Sequence, residues 1–193
     1  MDKWNTIHLL KATAEQLEDS AFIASCQQAY NAVKSKRSEA IEAALSVEGI
    51  LDQVLLDLFV GRNTAKRDQM RELVLAAEFC SAFQKWKMLK QLMETVRDYF
   101  SPLNESQQKS LRKDIYELFN DRNKFAHGDI FVNAQDLTVW LRYYEAGTKF
   151  IAIDQPFLER LFGCALLAKD ELLKLHNQFE PSIDTGALSI PAS

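Results

Sequence analysis

Glycine and proline are scarce in this 193-residue chain, six and four in all, and the long runs between them are helix-like in pattern. Cysteine is scarcer still. Cys26, Cys80 and Cys164 are odd in number and widely spaced, so they form neither a CxxC metal site nor a disulfide framework and read as reduced, buried thiols. An excess of basic charge is also missing. A net charge of −4 and a pI near 5.5 exclude a generic nucleic-acid binder, so any such binding must be local. The N-terminal stretch lacks the charged region, long apolar core and small-residue cleavage site of a signal peptide. No apolar run approaches the roughly 18 residues of a membrane span. The expected location is the cytoplasm, with no membrane partner.

Several chemistries are missing as well. His8, His127 and His176 show no HExxH or other metal-ligand spacing, so no metal and no cofactor is expected. There is no GxSxG elbow, and "GRNTAK" lacks the second glycine and the Lys-Ser/Thr of a Walker loop. No internal repeat or low-complexity block occurs.

What is present is apolar periodicity. At 47% hydrophobic, the chain can bury a sizeable core as one domain over residues 1–180, with a disordered tail over 181–193. In "SEAIEAALSVEGILDQVLLDLFV" the positions Ile41, Ala44, Leu45, Val47, Ile50, Leu51, Val54, Leu55, Leu58 and Phe59 recur every three or four residues, a wide helical face aimed at a core. Ser38 is placed to cap it, Gly61 to end it, and Gly49 to admit a close neighbouring helix. "SAFIASCQQAYNAVKSK" reads as a separate preceding helix and "GRNTAKRD" as a polar connector. A long helical stretch follows to Phe100, with a break signalled at Ser81. Pro102 stops it, Asn104 caps a helix from Glu105 to Ala126, and Pro156 opens the last helix. Between them, "LTVWLRYYEAGTKFIAI" predicts a hairpin pairing Thr138–Tyr144 with Lys149–Ile153. The expected fold is mainly α: a bundle of five to six helices with a short β-hairpin before the C-terminal helix.

Most polar residues have ordinary readings. Glu39, Glu42, Glu48 and Asp52 follow helical spacing and read as a solvated face, and Trp86 and Trp140 read as core or interface aromatics. His8 and His176 carry no expected role.

"DRNKFAHGD" differs. Arg122 and His127 are five apart, about 140° around a helix, so they flank a cleft rather than share a stripe. Asn123 and His127 are four apart and share a face, where the amide can reach the imidazole and fix its tautomer. Phe125 and Ala126 can pack inward beside them, and Gly128 lets the backbone turn at once. A guanidinium holds phosphate bidentately and an imidazole exchanges protons near neutral pH. That is the chemistry metal-free RNA cleavage requires. Bare spacing is weak evidence: nine arginines and three histidines among 193 residues give an Arg five before a His about 0.14 times by chance. Cations in a last helical turn also favour the helix dipole without further function.

The fuller string "RNKFAHG" resembles the R-N-x-x-A-H-G form of the motif in HEPN domains, with Arg122, Asn123 and His127 at the motif positions. The resemblance extends in architecture over roughly residues 38–178. It implies a HEPN-like bundle and a metal-independent endoribonuclease, a toxin or phage-defence effector, working as a homodimer whose two motifs meet. Arg122 would position and neutralise the scissile phosphate, His127 would transfer protons, and Asn123 would orient the site. An antitoxin or defence-complex protein is the implied partner. Asp129 stands where HEPN toxins paired with a nucleotidyltransferase antitoxin carry a modifiable tyrosine, and it cannot be modified in that way. Lys124, Lys113 and Arg112 are candidate RNA-binding cations, within local clusters that also include Lys34-Lys36-Arg37, Arg62-Lys66-Arg67 and Lys109; the same clusters fit solvated helix faces equally well. Two other readings stay open: a non-catalytic helical interaction module, which the acidic net charge favours, and a site for a nucleotide or other phosphate ligand.

Overall fold

A computed structural model describes residues 7–61 and 63–178. The expected disordered tail and Arg62 lie outside them. Among the described residues the chain forms six α-helices and a small four-stranded sheet: β1 (His8–Leu10), α1 (Ala14–Glu18), α2 (Ser20–Val60), α3 (Thr64–Met70), α4 (Ala82–Thr95), α5 (Glu105–His127), β2 (Asp129–Asn133), β3 (Val139–Tyr144), β4 (Thr148–Ala152) and α6 (Gln155–Asn177). None of these helices is long and apolar enough to cross a membrane.

The two helices expected before Gly61 are one, 41 residues long. Asp19 caps it by accepting from the N–H groups of Ala21 and Phe22. Ser38 remains helical because nothing near it breaks the ladder; a serine caps only where the backbone has already left the helix. Gly61 ends it, in the left-handed region at φ 61°. Gly49 does not admit a neighbour: a Cβ built there meets nothing within 4 Å. The connector after Gly61 is also helical. Asn63 accepts from the Lys66 N–H at 3.0 Å to start α3, which runs into a π-helical turn at Arg71–Leu75. The predicted break at Ser81 is real, since its hydroxyl accepts from the Gln84 N–H.

α2 packs along α6 and α5, and α4 covers α5 and α2. Ala44, Val47, Leu51, Val54 and Leu55 are fully buried, as their periodicity predicts. Leu45 and Phe59 depart from it, being 49% and 46% exposed, because no element among the described residues covers their edge of α2. Phe100, Phe119, Phe125 and Leu172 complete the core. All three cysteines are free and buried, and burial together with Asp114 and Glu117 pushes the Cys164 thiol up to about 11.

The expected hairpin is present as β3 and β4, antiparallel with Trp140 opposite Ala152. It belongs to a larger sheet of order β1-β2-β3-β4. β2 pairs antiparallel with β3, and β1 adds parallel to β2 with His8 opposite Phe131. β2 begins one residue after Gly128, and that fixes what stands beside the helix end.

Candidate functional site at the end of helix α5

α5 is tied down at both termini. A capping box opens it: Asn104 Oδ1 accepts from the Gln107 N–H and Gln107 Oε1 accepts from the Asn104 N–H, each at 3.0 Å. At the other end the Gly128 N–H donates to the Lys124 carbonyl at 2.7 Å. Gly128 has φ −89°, open to any residue; what requires glycine is space. A Cβ there would lie 2.6 Å from the Lys124 carbonyl oxygen and 2.8 Å from that of Arg142. The helix end therefore closes directly onto β3. Asp129 is opposite Arg142, so β3 overruns the start of β2 and carries Tyr143 and Tyr144 past the last turn of α5.

The result is a cleft of about 210 Å³ between α5 and the hairpin. Asn120, Asn123, Lys124 and His127 form one wall, and Tyr143, Tyr144 and Glu145 the other. His127 is exposed, and among the described residues its ring has no hydrogen bond or ion pair. It is available to a ligand. Lys124 is anchored: its ammonium pairs with buried Asp121 at 2.8 Å and lies 5.3 Å from the Tyr143 ring centroid. Phe125 packs inward as expected, whereas Ala126 is exposed and its carbonyl accepts from Arg37 at 3.1 Å.

Asn123 does not bond to His127. Its Oδ1 accepts instead from Arg122 at 3.1 Å, because the guanidinium is one residue away and the stronger donor. Arg122 itself is not part of the cleft wall. It lies on the adjoining flank of α5, where it reaches Glu48 of α2 at 3.5 Å. Glu48 and Asp52 are not solvated as their spacing suggested, since both hold the nearly buried ammonium of Lys85, at 2.8 and 2.9 Å. Burial works to lower the Lys85 pKa, but hydrogen bonds to the two carboxylates outweigh it and leave the amine above its ordinary range. Burial lifts Asp52 above the usual carboxylate range, and its Oδ1 is buried without a hydrogen-bond partner among the described residues. Glu39 and Glu42 are exposed as expected.

The two remaining cation candidates are elsewhere. Arg112 and Lys113 precede His127 by roughly four helical turns, about 22 Å along the axis. They line a separate depression of about 440 Å³ with Trp86, Lys90, Lys109 and Tyr116. Other expected cations are engaged structurally, Arg67 by buried Asp57 and Lys36 by Glu39. Asp129 is neutralised by Arg142 at 2.6 Å, which keeps a bare carboxylate away from the cleft. Among the described residues no group of three or more His, Cys, Asp or Glu side chains is placed to hold a metal ion.

Asn120, Tyr143, Tyr144 and Glu48 were missed by motif reasoning. Asn120 stands seven before His127, two turns along the same face, and was available as a signal. The tyrosines reach the site through strand register, which no local pattern carries. No family model matches the chain, and no curated protein or solved structure does either.

Proposed function

We propose that this chain is a metal-independent endoribonuclease of HEPN type, acting as a homodimer in a toxin or defence setting. The observation that carries the reading is the exposed imidazole of His127, without a partner among the described residues. It is set in a cleft with two amides, an ammonium, two tyrosines and the Glu145 carboxylate, which Lys149 pairs at 3.1 Å. In this reading the RNA 2′-oxygen attacks phosphorus, the P–O5′ bond breaks, and a 2′,3′-cyclic phosphate and a 5′-hydroxyl result. A base takes the 2′-hydroxyl proton and an acid returns one to the 5′-oxygen. One imidazole fills one of these roles at a time. A second copy of the motif, brought in by a two-fold axis, supplies the other and adds its Arg122 to the phosphate. The hairpin offers surface for such an interface, with Tyr144 81% and Phe150 47% exposed.

The test is incubation of the purified protein with mixed RNA in excess chelator. Cleavage leaving cyclic-phosphate ends, with DNA untouched, supports the reading. Cleavage that a chelator abolishes and a divalent ion restores overturns it. A second reading, a non-catalytic helical interaction module, is favoured by the Arg122–Glu48 contact, which ties the motif arginine to a buried ion network. In that case Arg122 stabilises the packing of α5 on α2, and no RNA is cleaved.

A further inference from the structure

One face of α5 is unlike the rest of this acidic molecule. Lys109, Lys113, Tyr116, Asn120, Asn123 and His127 follow one another at spacings of three and four, which places them in a single stripe along the helix. Every one is exposed or partly exposed. Arg112 and Lys124 widen the stripe, and no carboxylate of α5 falls within about 60° of its midline between Lys109 and His127. The stripe joins two depressions that are otherwise unrelated: the one under Trp86 and Tyr116, and the cleft of His127.

The upper depression has the composition of a binding surface. Lys90 and Lys109 have no ion-pair partner among the described residues, nor does the side chain of Arg112, while Lys113 meets Glu117 only at 3.8 Å. Between these cations Tyr116 is 45% exposed. Its ring is held 5.2 Å from Trp86 and 5.7 Å from Phe83 between centroids. Trp86 is itself fixed by its indole N–H, which donates to the Arg112 carbonyl at 2.9 Å. The aromatic surface is thus rigid while the surrounding charge is unsatisfied.

We infer that this stripe is a binding track for single-stranded RNA, leading from the Trp86–Tyr116 depression to the His127 cleft. The inference takes its substrate class from the proposed function, but its location rests on the stripe. Cations alone would suit any polyanion. Cations interleaved with a fixed exposed ring and two amides suit a chain that carries stackable bases with hydrogen-bonding edges, along with phosphates. From Lys109 to His127 the track is about 27 Å long. That is roughly eight nucleotides at a stacked spacing of about 3.4 Å, and fewer when extended. The net charge of −4 disfavours general polyanion binding, so the site must be local.

The test is fluorescence anisotropy of the full chain with a labelled 2′-O-methyl single strand of about twelve nucleotides, which lacks the attacking hydroxyl. Tyr116→Ala should weaken binding about fivefold or more, the loss expected of one stacked base. Because Tyr116 also packs on Trp86 and Phe83, the Lys109→Glu/Lys113→Glu double variant provides a second arm at exposed positions. It should weaken binding at least about tenfold and flatten its salt dependence. Lys87→Glu, on another face of α4, should leave binding unchanged. Binding indifferent to Tyr116 and to the double reversal overturns the track, as does displacement by polyglutamate as effective as that by RNA. Unlabelled native RNA separates this inference from the nuclease reading. Track-dependent binding without cleavage keeps the track and overturns the nuclease. Normal cleavage by both track variants does the reverse.

Discussion

Arg122 and Glu48 face each other at 3.5 Å across the α2–α5 contact, a loose pairing with a carboxylate that Lys85 already holds at 2.8 Å. The geometry leaves Arg122 tethered but not consumed. A guanidinium has five N–H donors, and those not directed at Glu48 and Asn123 remain for a phosphate. Arg122 is therefore able to serve both the packing of its helix and an anion arriving from outside.

That dual position makes the two motif variants informative together. His127→Ala removes an exposed ring with no partner among the described residues, so the melting temperature should stay within about 2 °C of wild type. RNA cleavage should fall by about 10²–10⁴, the usual worth of a positioned proton-transfer group. Arg122→Ala should cost about 10²–10³ in rate. A large fall in its melting temperature with no RNA cleavage in the wild type would show that Arg122 is a packing residue.

Gly49 and Gly128 should respond in opposite directions. Gly49 is exposed mid-helix with open space at its Cβ position, so Gly49→Ala should stabilise the fold by about 0.5–1 kcal/mol. Gly128→Ala inserts a methyl against two backbone carbonyls and the Leu141 side chain. The helix end must lift from β3, at about 1–3 kcal/mol. The same shift moves His127 away from Tyr143, so activity should fall further than stability alone explains. Thermal melts of the two variants check both signs.

The contrast between those glycines shows what local sequence carries. Asn104, Ser81, Gly61 and Pro156 mark helix ends through their own chemistry, and each lies where that chemistry predicts. Ser38 has the same chemistry and caps nothing, because Ala40, Ala44 and Val47 keep the helix buried straight through it. β2 was hidden by its burial: Ile130, Phe131 and Val132 are all buried, so "IFV" lacks the alternation that betrays a half-exposed strand. At the site, Asn123 and His127 were legible as one helical face. Tyr143, Tyr144 and the turning of Arg122 toward Glu48 depend on strand register and helix packing, which lie beyond any seven-residue string.

His176 is another such case. Read locally it is a polar residue late in a helix, yet its Nδ1 lies 2.6 Å from Asp57 Oδ2, and Arg67 pairs with the other oxygen. Asp57 is almost wholly buried and joins α2, α3 and α6. Asp57→Ala leaves Arg67 without its buried counterion, a loss of about 3–5 kcal/mol. For a chain of this size the melting temperature should drop by roughly 6–20 °C, measurable by calorimetry. Because this network is remote from the His127 cleft, any residual folded protein at low temperature should retain RNA cleavage.

The proposed cleavage needs two copies of the motif. The proposed transesterification would remove one proton from the 2′-hydroxyl and deliver one to the 5′-oxygen, so it calls for a base and an acid. In this reading they are a neutral and a protonated imidazole on opposite sides of the phosphate. The described part of a single chain places one histidine in the cleft, and Arg122 opens onto the neighbouring flank rather than into it. In the proposed homodimer, a two-fold partner docked on the exposed Tyr144–Phe150 surface would complete both deficits at once. His127→Ala chains should then act as poisons when mixed with wild type above the dimer dissociation constant. With wild-type concentration held fixed, an equal amount of variant should leave about one half of the activity, and a threefold excess about one quarter, as random pairing requires. Dilution below the dissociation constant should also reduce activity per chain. Activity that ignores the added variant, or a strict monomer by light scattering cleaving at full rate, would show that each chain carries a complete site.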